Sequence, residues 1–164
     1  MSISSSLRRV GACALALLTL SGCDPQKIAE LEEGVATEAQ VRERFGAPER
    51  VWPEEGGART FEYNRQPAGT RNYMITIGAD GIMSALRQVL APHHFAKVEP
   101  GMGEEQVRRL LGRPARVVPY ALQQHTEWYW NWADGARQME HTVVFDASGK
   151  VVRSASAEKL HEAP

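Results

Sequence analysis

At 164 residues with a formal net charge of −1, the chain is long enough to bury one or two small cores. It lacks the basic excess that a nucleic-acid binder would need. Its only two cysteines, Cys13 and Cys23, lie close together near the start, so stability has to come from burial rather than a disulfide framework.

In chain order, Arg8 and Arg9 precede an apolar run from Val10 to Leu20. That run is about half the ~20 residues a membrane-spanning helix requires, which fits the core of a signal peptide. Leu20-Ser21-Gly22-Cys23 then resembles a bacterial lipobox, in which the cysteine thiol is diacylated and the chain is cut in front of it. The other reading is an ordinary secretory signal with a chance cysteine. The lipobox reading predicts a signal peptide over 1–22, lipidation at Cys23, a tether over 23–30 and a domain held to a membrane by more than one acyl chain. Asp24 resembles an inner-membrane retention signal of enteric bacteria, so an inner-membrane location stays open beside the outer membrane. Loss of 1–22 removes both Cys13 and the two arginines, leaving 17 basic against 20 acidic residues.

The remaining sequence repeats itself. Leu31-Glu-Glu-Gly34 and Gln40-Val41-Arg-Glu-Arg-Phe45-Gly46-Ala-Pro48 are echoed by Val98-Glu-Pro-Gly101 and Gln106-Val107-Arg-Arg-Leu-Leu111-Gly112-Arg-Pro114. Phe61-Glu-Tyr63-Asn64 matches Trp128-Tyr-Trp130-Asn131, and Tyr73 to Gly81 matches His141 to Gly149, at offsets of 66 to 68 residues. Such periodicity predicts a tandem duplication.

Each repeat contains the same signals. A helix is predicted from about Thr37 to Phe45, with Thr37 and Gln40 as a capping box, and another from about Gly103 to Leu111. Gly46 and Gly112 end them, with a proline two residues on. Alternating apolar residues predict strands at Arg59 to Tyr63, Tyr73 to Ile77 and Ile82 to Val89. In the second repeat they fall at Thr126 to Trp132, Gln138 to Phe145 and Lys150 to Ser156, joined by Asp80-Gly81 and Ser148-Gly149 turns. The expected fold is α+β: two tandem ααβββ units, each two short helices packed on a three-stranded antiparallel sheet. The first unit spans 31–90, a linker 91–97, the second unit 98–156 and a polar tail 157–164.

Residues 101–114, the aromatic strand Trp128-Tyr-Trp130 and the segment 143–151 resemble the SmpA/OmlA (BamE) lipoprotein domain. The first repeat resembles it more loosely through Gly34, Val41, Gly46, Pro48, Asp80 and Gly81. Members are small bacterial outer-membrane lipoproteins, and the best known is an accessory subunit of the machine that inserts β-barrels. That subunit has one such domain. Two in tandem are similar in architecture to the β-lactamase inhibitor protein fold, which is stapled by disulfides this chain cannot form.

No catalytic, cofactor or metal site is expected. His93, His94, His125, His141 and His161 lack zinc-ligand spacing, and no nucleophile elbow or phosphate-binding glycine loop occurs. His141, in the slot of Tyr73, is predicted half-buried, and Glu104-Glu105 are explained by the dipole of the helix they begin. Trp128 and Trp130 are predicted core. Trp52, Tyr129 and Trp132 are predicted exposed anchors for a partner, with Arg71 and Arg137 on neighbouring hairpin loops available for acidic groups or lipid headgroups. The resemblance implies a non-enzymatic envelope protein-interaction module, with the barrel-assembly machinery as first candidate partner. The alternative is a tethered inhibitor or binder of a periplasmic hydrolase.

Overall fold

The computed structural model describes residues 28 and 30–159. The predicted signal peptide, Cys23, Asp24 and 160–164 lie outside the described residues. The order of elements is α1 (Glu38–Phe45), β1 (Arg50–Pro53), β2 (Arg59–Asn64), β3 (Asn72–Ile77), β4 (Met83–Gln88), α2 (Pro92–Phe95), α3 (Glu104–Leu111), β5 (Arg116–Tyr120), β6 (His125–Asp134), β7 (Arg137–Asp146) and β8 (Val151–Glu158). They form two four-stranded antiparallel sheets, β1-β2-β3-β4 and β5-β6-β7-β8, each in sequence order.

The fold is α+β as expected, but each sheet has a fourth strand. β1 and β5 were missed because Arg-Val-Trp-Pro and Arg-Val-Val-Pro-Tyr are short and contain proline, which a sheet tolerates at its edge. The predicted linker 91–97 contains α2, opened by Pro92 at the first helical position, and its Phe95 joins the second core. Ala157 and Glu158, assigned to the tail, complete β8 opposite Glu140 and Met139.

The two units reuse the same local devices. Thr37 Oγ1 accepts from the Gln40 amide at 3.3 Å while the Thr37 amide donates to Gln40 Oε1 at 2.8 Å. At the start of α3 only the second half survives, Gly103 N–H to Gln106 Oε1 at 2.8 Å, because glycine has no side chain. Both sheets shift register at matching places, Thr76/Ile77 and Val144/Phe145. Gly34 and Gly101 donate to Met83 and Val151 carbonyls at 2.8 Å in each case. In each unit a core aromatic also caps the end of the helix. Tyr63 Oη donates to Gly46 O at 3.1 Å, and Trp130 Nε1 donates to Gly112 O at 3.1 Å. Burial pushes the Tyr63 hydroxyl up to about 12, so it remains a donor throughout the physiological range.

Two cores result. One gathers Val41, Phe45, Phe61, Tyr63, Tyr73, Ile75 and Ile77 under α1; the other gathers Val107, Leu111, Trp130, Trp132, Val143 and Phe145 under α3 with Phe95. His141 belongs to the second and is buried at 2% exposure rather than half-buried. Its ring stacks on Phe95 at 4.0 Å, and Nδ1 lies 2.9 Å from Ser156 Oγ. Burial holds its imidazole down at about 4, and burial beside His93 does the same to His94. Unfolded imidazoles titrate near 6.5, so the unfolded chain takes up protons first. The stabilisation from keeping His141 neutral is present above about pH 6.5 and is lost as pH falls toward 4, by roughly 1–3 kcal/mol. Urea unfolding at about pH 7 and about pH 4.5 should therefore show a smaller acid loss for His141→Phe than for the parent protein.

Gly46 and Gly112 both adopt positive φ, +83° and +75°, but differ in surroundings. A Cβ on Gly46 meets nothing within 4 Å, whereas on Gly112 it would lie 2.5 Å from Asn64 Oδ1 and 2.9 Å from Asn72 Nδ2. Gly46→Ala is expected to cost about 1 kcal/mol of backbone strain, and Gly112→Ala about 2–4 kcal/mol, because it also wedges the two units apart. Denaturant midpoints of the two variants measure the difference.

Candidate functional site

The outward face of the first sheet, opposite its own core, receives the last turn of α3 from the second unit. At its centre is Glu62, a carboxylate at 0% exposure. It accepts from Trp52 Nε1 at 3.0 Å, Asn64 Nδ2 at 2.8 Å, Arg108 Nε at 3.1 Å and the Arg113 amide at 3.0 Å. Asn72, also at 0%, donates to the carbonyls of Leu111 at 2.8 Å and Arg113 at 3.1 Å. It thereby satisfies acceptors that a helix C-terminus leaves open. Glu49 pairs with both Arg108 (3.2 Å) and Arg113 (2.8 Å). Further along the seam, Gln66 donates to Asn131 O at 2.7 Å and accepts from its amide at 3.1 Å.

Trp52 is therefore an anchor, but of an interface within the chain. It is 3% exposed, with the Arg50 and Arg109 guanidinium carbons 4.0 and 4.8 Å from its ring centroid. The exposure expected of Trp132 and Tyr129 is absent as well. Trp132 lies 5% exposed in the second core, edge-on to Phe95 at 5.2 Å. Tyr129 does face away from that core, as the alternation of β6 requires, yet is 8% exposed. Arg116 lies over its ring at 3.7 Å, and its hydroxyl contacts Glu127. Burial, then the Glu127 hydrogen bond, pushes that hydroxyl far up. Arg71 and Arg137 are exposed, and Arg137 pairs with Asp134 across the β6–β7 turn. The five residues do not form one site. The residues that do converge, Glu49, Glu62, Asn64 and Asn72, are polar members of an alternating strand or its flank, and only the Glu62-for-Tyr129 difference between the repeats marked them in the sequence.

Among the described residues no helix packs on the outward face of the second sheet. Arg116, Tyr129, Asn131 and Glu140 border a groove of about 390 Å³ there. By strand pairing, Tyr129, Asn131 and Glu140 correspond to Glu62, Asn64 and Asn72, the residues that grip α3 in the first sheet. Among the described residues no group of three or more His, Cys, Asp or Glu side chains is disposed to hold a metal ion. No helix among them is long and apolar enough to cross a membrane.

The arrangement is that of a two-sheet α+β protein in which the polar outward face of the first sheet holds the last turn of the second unit's helix. Residues 88–155, the end of β4 through β8, match the outer membrane protein assembly factor BamE domain. The resemblance read from the sequence is thereby shown for the second unit; the first lies outside the match. No curated protein matches the chain. Among solved structures it is similar to a putative osmotically inducible lipoprotein, OsmE, at 25% identity over 43% of this chain and 75% of that one, with a TM-score of 0.38. It is also similar to YjgB, a DUF4309 family protein from Bacillus subtilis (22%, 82% and 86% covered, TM-score 0.33). A putative β-lactamase inhibitor protein from Streptococcus mutans is similar at 12% identity, with 74% and 82% covered and a TM-score of 0.31.

Proposed function

We propose that the protein is a non-enzymatic, lipid-anchored interaction module of the bacterial envelope, accessory to assembly of outer-membrane β-barrel proteins. The observation that carries this reading is the match of residues 88–155 to the BamE assembly-factor domain, which takes in α2, α3, β5, β6, β7 and most of β8. The lipobox at 20–23 supports attachment through Cys23, and the shared devices of the two units support their origin as tandem copies. In this reading the first unit is a docked adaptor whose outward face is occupied by α3. The partner is met by the outward face of the second sheet around Arg116, Tyr129 and Glu140, with Arg137 and Arg71 on the flanking hairpin loops.

Membrane fractionation of the native protein, followed by crosslinking and mass spectrometry of its neighbours, tests this. Outer-membrane location with barrel-assembly components crosslinked to 116–140 is the expected result. Inner-membrane location, or neighbours that include no barrel-assembly component, would overturn the accessory role. A stoichiometric periplasmic hydrolase among the neighbours would replace it with the inhibitor reading. Cys23→Ala should release the protein from the membrane fraction.

A further inference from the structure

The two units differ sharply at one matched position. In the first, Glu38 opens α1 and is held between two guanidinium groups, Arg59 Nη2 at 2.8 Å and Arg42 Nε at 2.8 Å. Strand pairing places Arg59 opposite Pro53 and Ile77; in the second unit the residue opposite Pro119 and Phe145 is Thr126. Glu104, which opens α3 as Glu38 opens α1, has therefore lost one cationic neighbour. It has lost the other too, because Arg108, the counterpart of Arg42, turns away to Glu62 at the seam. Among the described residues the Glu104 carboxylate makes no ion pair or hydrogen bond, and the neighbouring Lys150 makes no ion pair with it.

Where the Arg59 side chain lies in the first unit, the second has a cavity of about 340 Å³ bordered by Glu104, Thr126, Tyr120, His125, Asp146 and Gly149. Tyr120 and His125 stack on each other at 4.8 Å on its border; His125 Nε2 lies 3.2 Å from Glu127 Oε1, which keeps the ring oriented. Asp146 commits Oδ1 to Ser148 Oγ (2.6 Å), the Ser148 amide (2.8 Å) and the Lys150 amide (3.1 Å), and its carboxylate also feels the Lys150 charge. These bonds, the Ser148 hydroxyl's first, hold its carboxyl below the usual range. The unpaired Glu104 carboxylate beside a stacked aromatic pair, matching the Glu38 that binds Arg59 in the first unit, suits a flat, delocalised cation with several in-plane donors.

We propose that this cavity is a receptor for the guanidinium of an arginine side chain presented by another protein, taking the place that Arg59 fills from within the chain in the first unit. A lysine ammonium fits less well, since it offers neither a planar face to add to the Tyr120–His125 stack nor two parallel donors for a carboxylate. This site is independent of the barrel-assembly reading, and a purified-component test keeps the two apart.

The test is an NMR titration of the protein with three peptides, acetyl-Gly-Arg-Gly-amide and its lysine and citrulline counterparts. The arginine peptide should give saturable shifts in the millimolar range confined to Glu104, Thr126, His125 and Gly149. The lysine peptide should bind several-fold more weakly, and neutral citrulline should not bind. Glu104→Gln should weaken arginine binding at least tenfold. Thr126→Arg, which recreates the first unit's arrangement, should fill the cavity from within and abolish the shifts while the protein stays folded by circular dichroism. Absence of saturation, equal binding of citrulline, or undiminished binding to folded Thr126→Arg would overturn the proposal.

Discussion

Replacing Glu62 by alanine is expected to lower the unfolding free energy by about 3–5 kcal/mol, among the largest single-residue effects in the molecule. The carboxylate is at 0% exposure and gathers four donors, so its loss leaves Trp52 Nε1 without an acceptor in a partly dry seam and the Arg108 guanidinium with Glu49 alone. A buried ion pair need not add much net stability relative to well-packed apolar groups, yet removing one partner leaves the other uncompensated. Glu62→Gln keeps the volume and one acceptor, and should cost less than half as much. Because Glu62 joins the two units, Glu62→Ala should also separate their transitions. Urea unfolding followed by tryptophan fluorescence, with three of the four tryptophans on β6, should report the second unit apart from a far-ultraviolet signal for the whole. A single transition with an unchanged midpoint would show that the seam is not coupled in this way.

Trp130→Ala is expected to cost about 3–5 kcal/mol by a different route. Its ring is at 0% exposure between α3 and β7, and truncation would leave a cavity the rigid sheet cannot close. Trp130→Phe separates the two contributions. It retains most of the apolar contact but leaves the Gly112 carbonyl without the indole N–H at 3.1 Å, for about 1–2 kcal/mol. Tyr63→Phe in the first unit removes the equivalent bond to Gly46 O and should cost a similar amount. Equal penalties at the two sites would show that the aromatic cap acts locally. A much larger penalty for Trp130→Phe would mean that Gly112, wedged against Asn64 and Asn72, passes its displacement on to the seam.

Whatever depends on a few neighbouring residues was readable in the sequence. The capping box at Thr37, the helix start near Gly103, the glycine and proline stops, the turns at Asp80-Gly81 and Ser148-Gly149 and the core faces of β2, β3, β6 and β7 follow from local propensity and a period of two or 3.6. The repeat was legible because these signals recur in order. β1 and β5 fell below that threshold, being four and five residues long and held by pairing with β2 and β6 rather than by their own pattern.

Alternation alone also sorted Tyr129 from Trp128, Trp130 and Trp132 onto opposite faces of β6. It could not say what covers each face, because burial is a property of what packs there and not of the strand. Trp52 and Glu62 lie outward on the first sheet and would be solvent-exposed on an isolated unit. Arrival of α3 turns that face into an interior, and a carboxylate that reads as surface becomes fully buried. The same packing draws Arg108 away from Glu104. The sequence by itself determined most of the secondary elements, their recurrence and the resemblance of the second unit to the BamE domain. Only the tertiary structure decided which polar groups became interior and which stayed unpartnered, since that choice is made by contacts between residues some 40 to 65 positions apart.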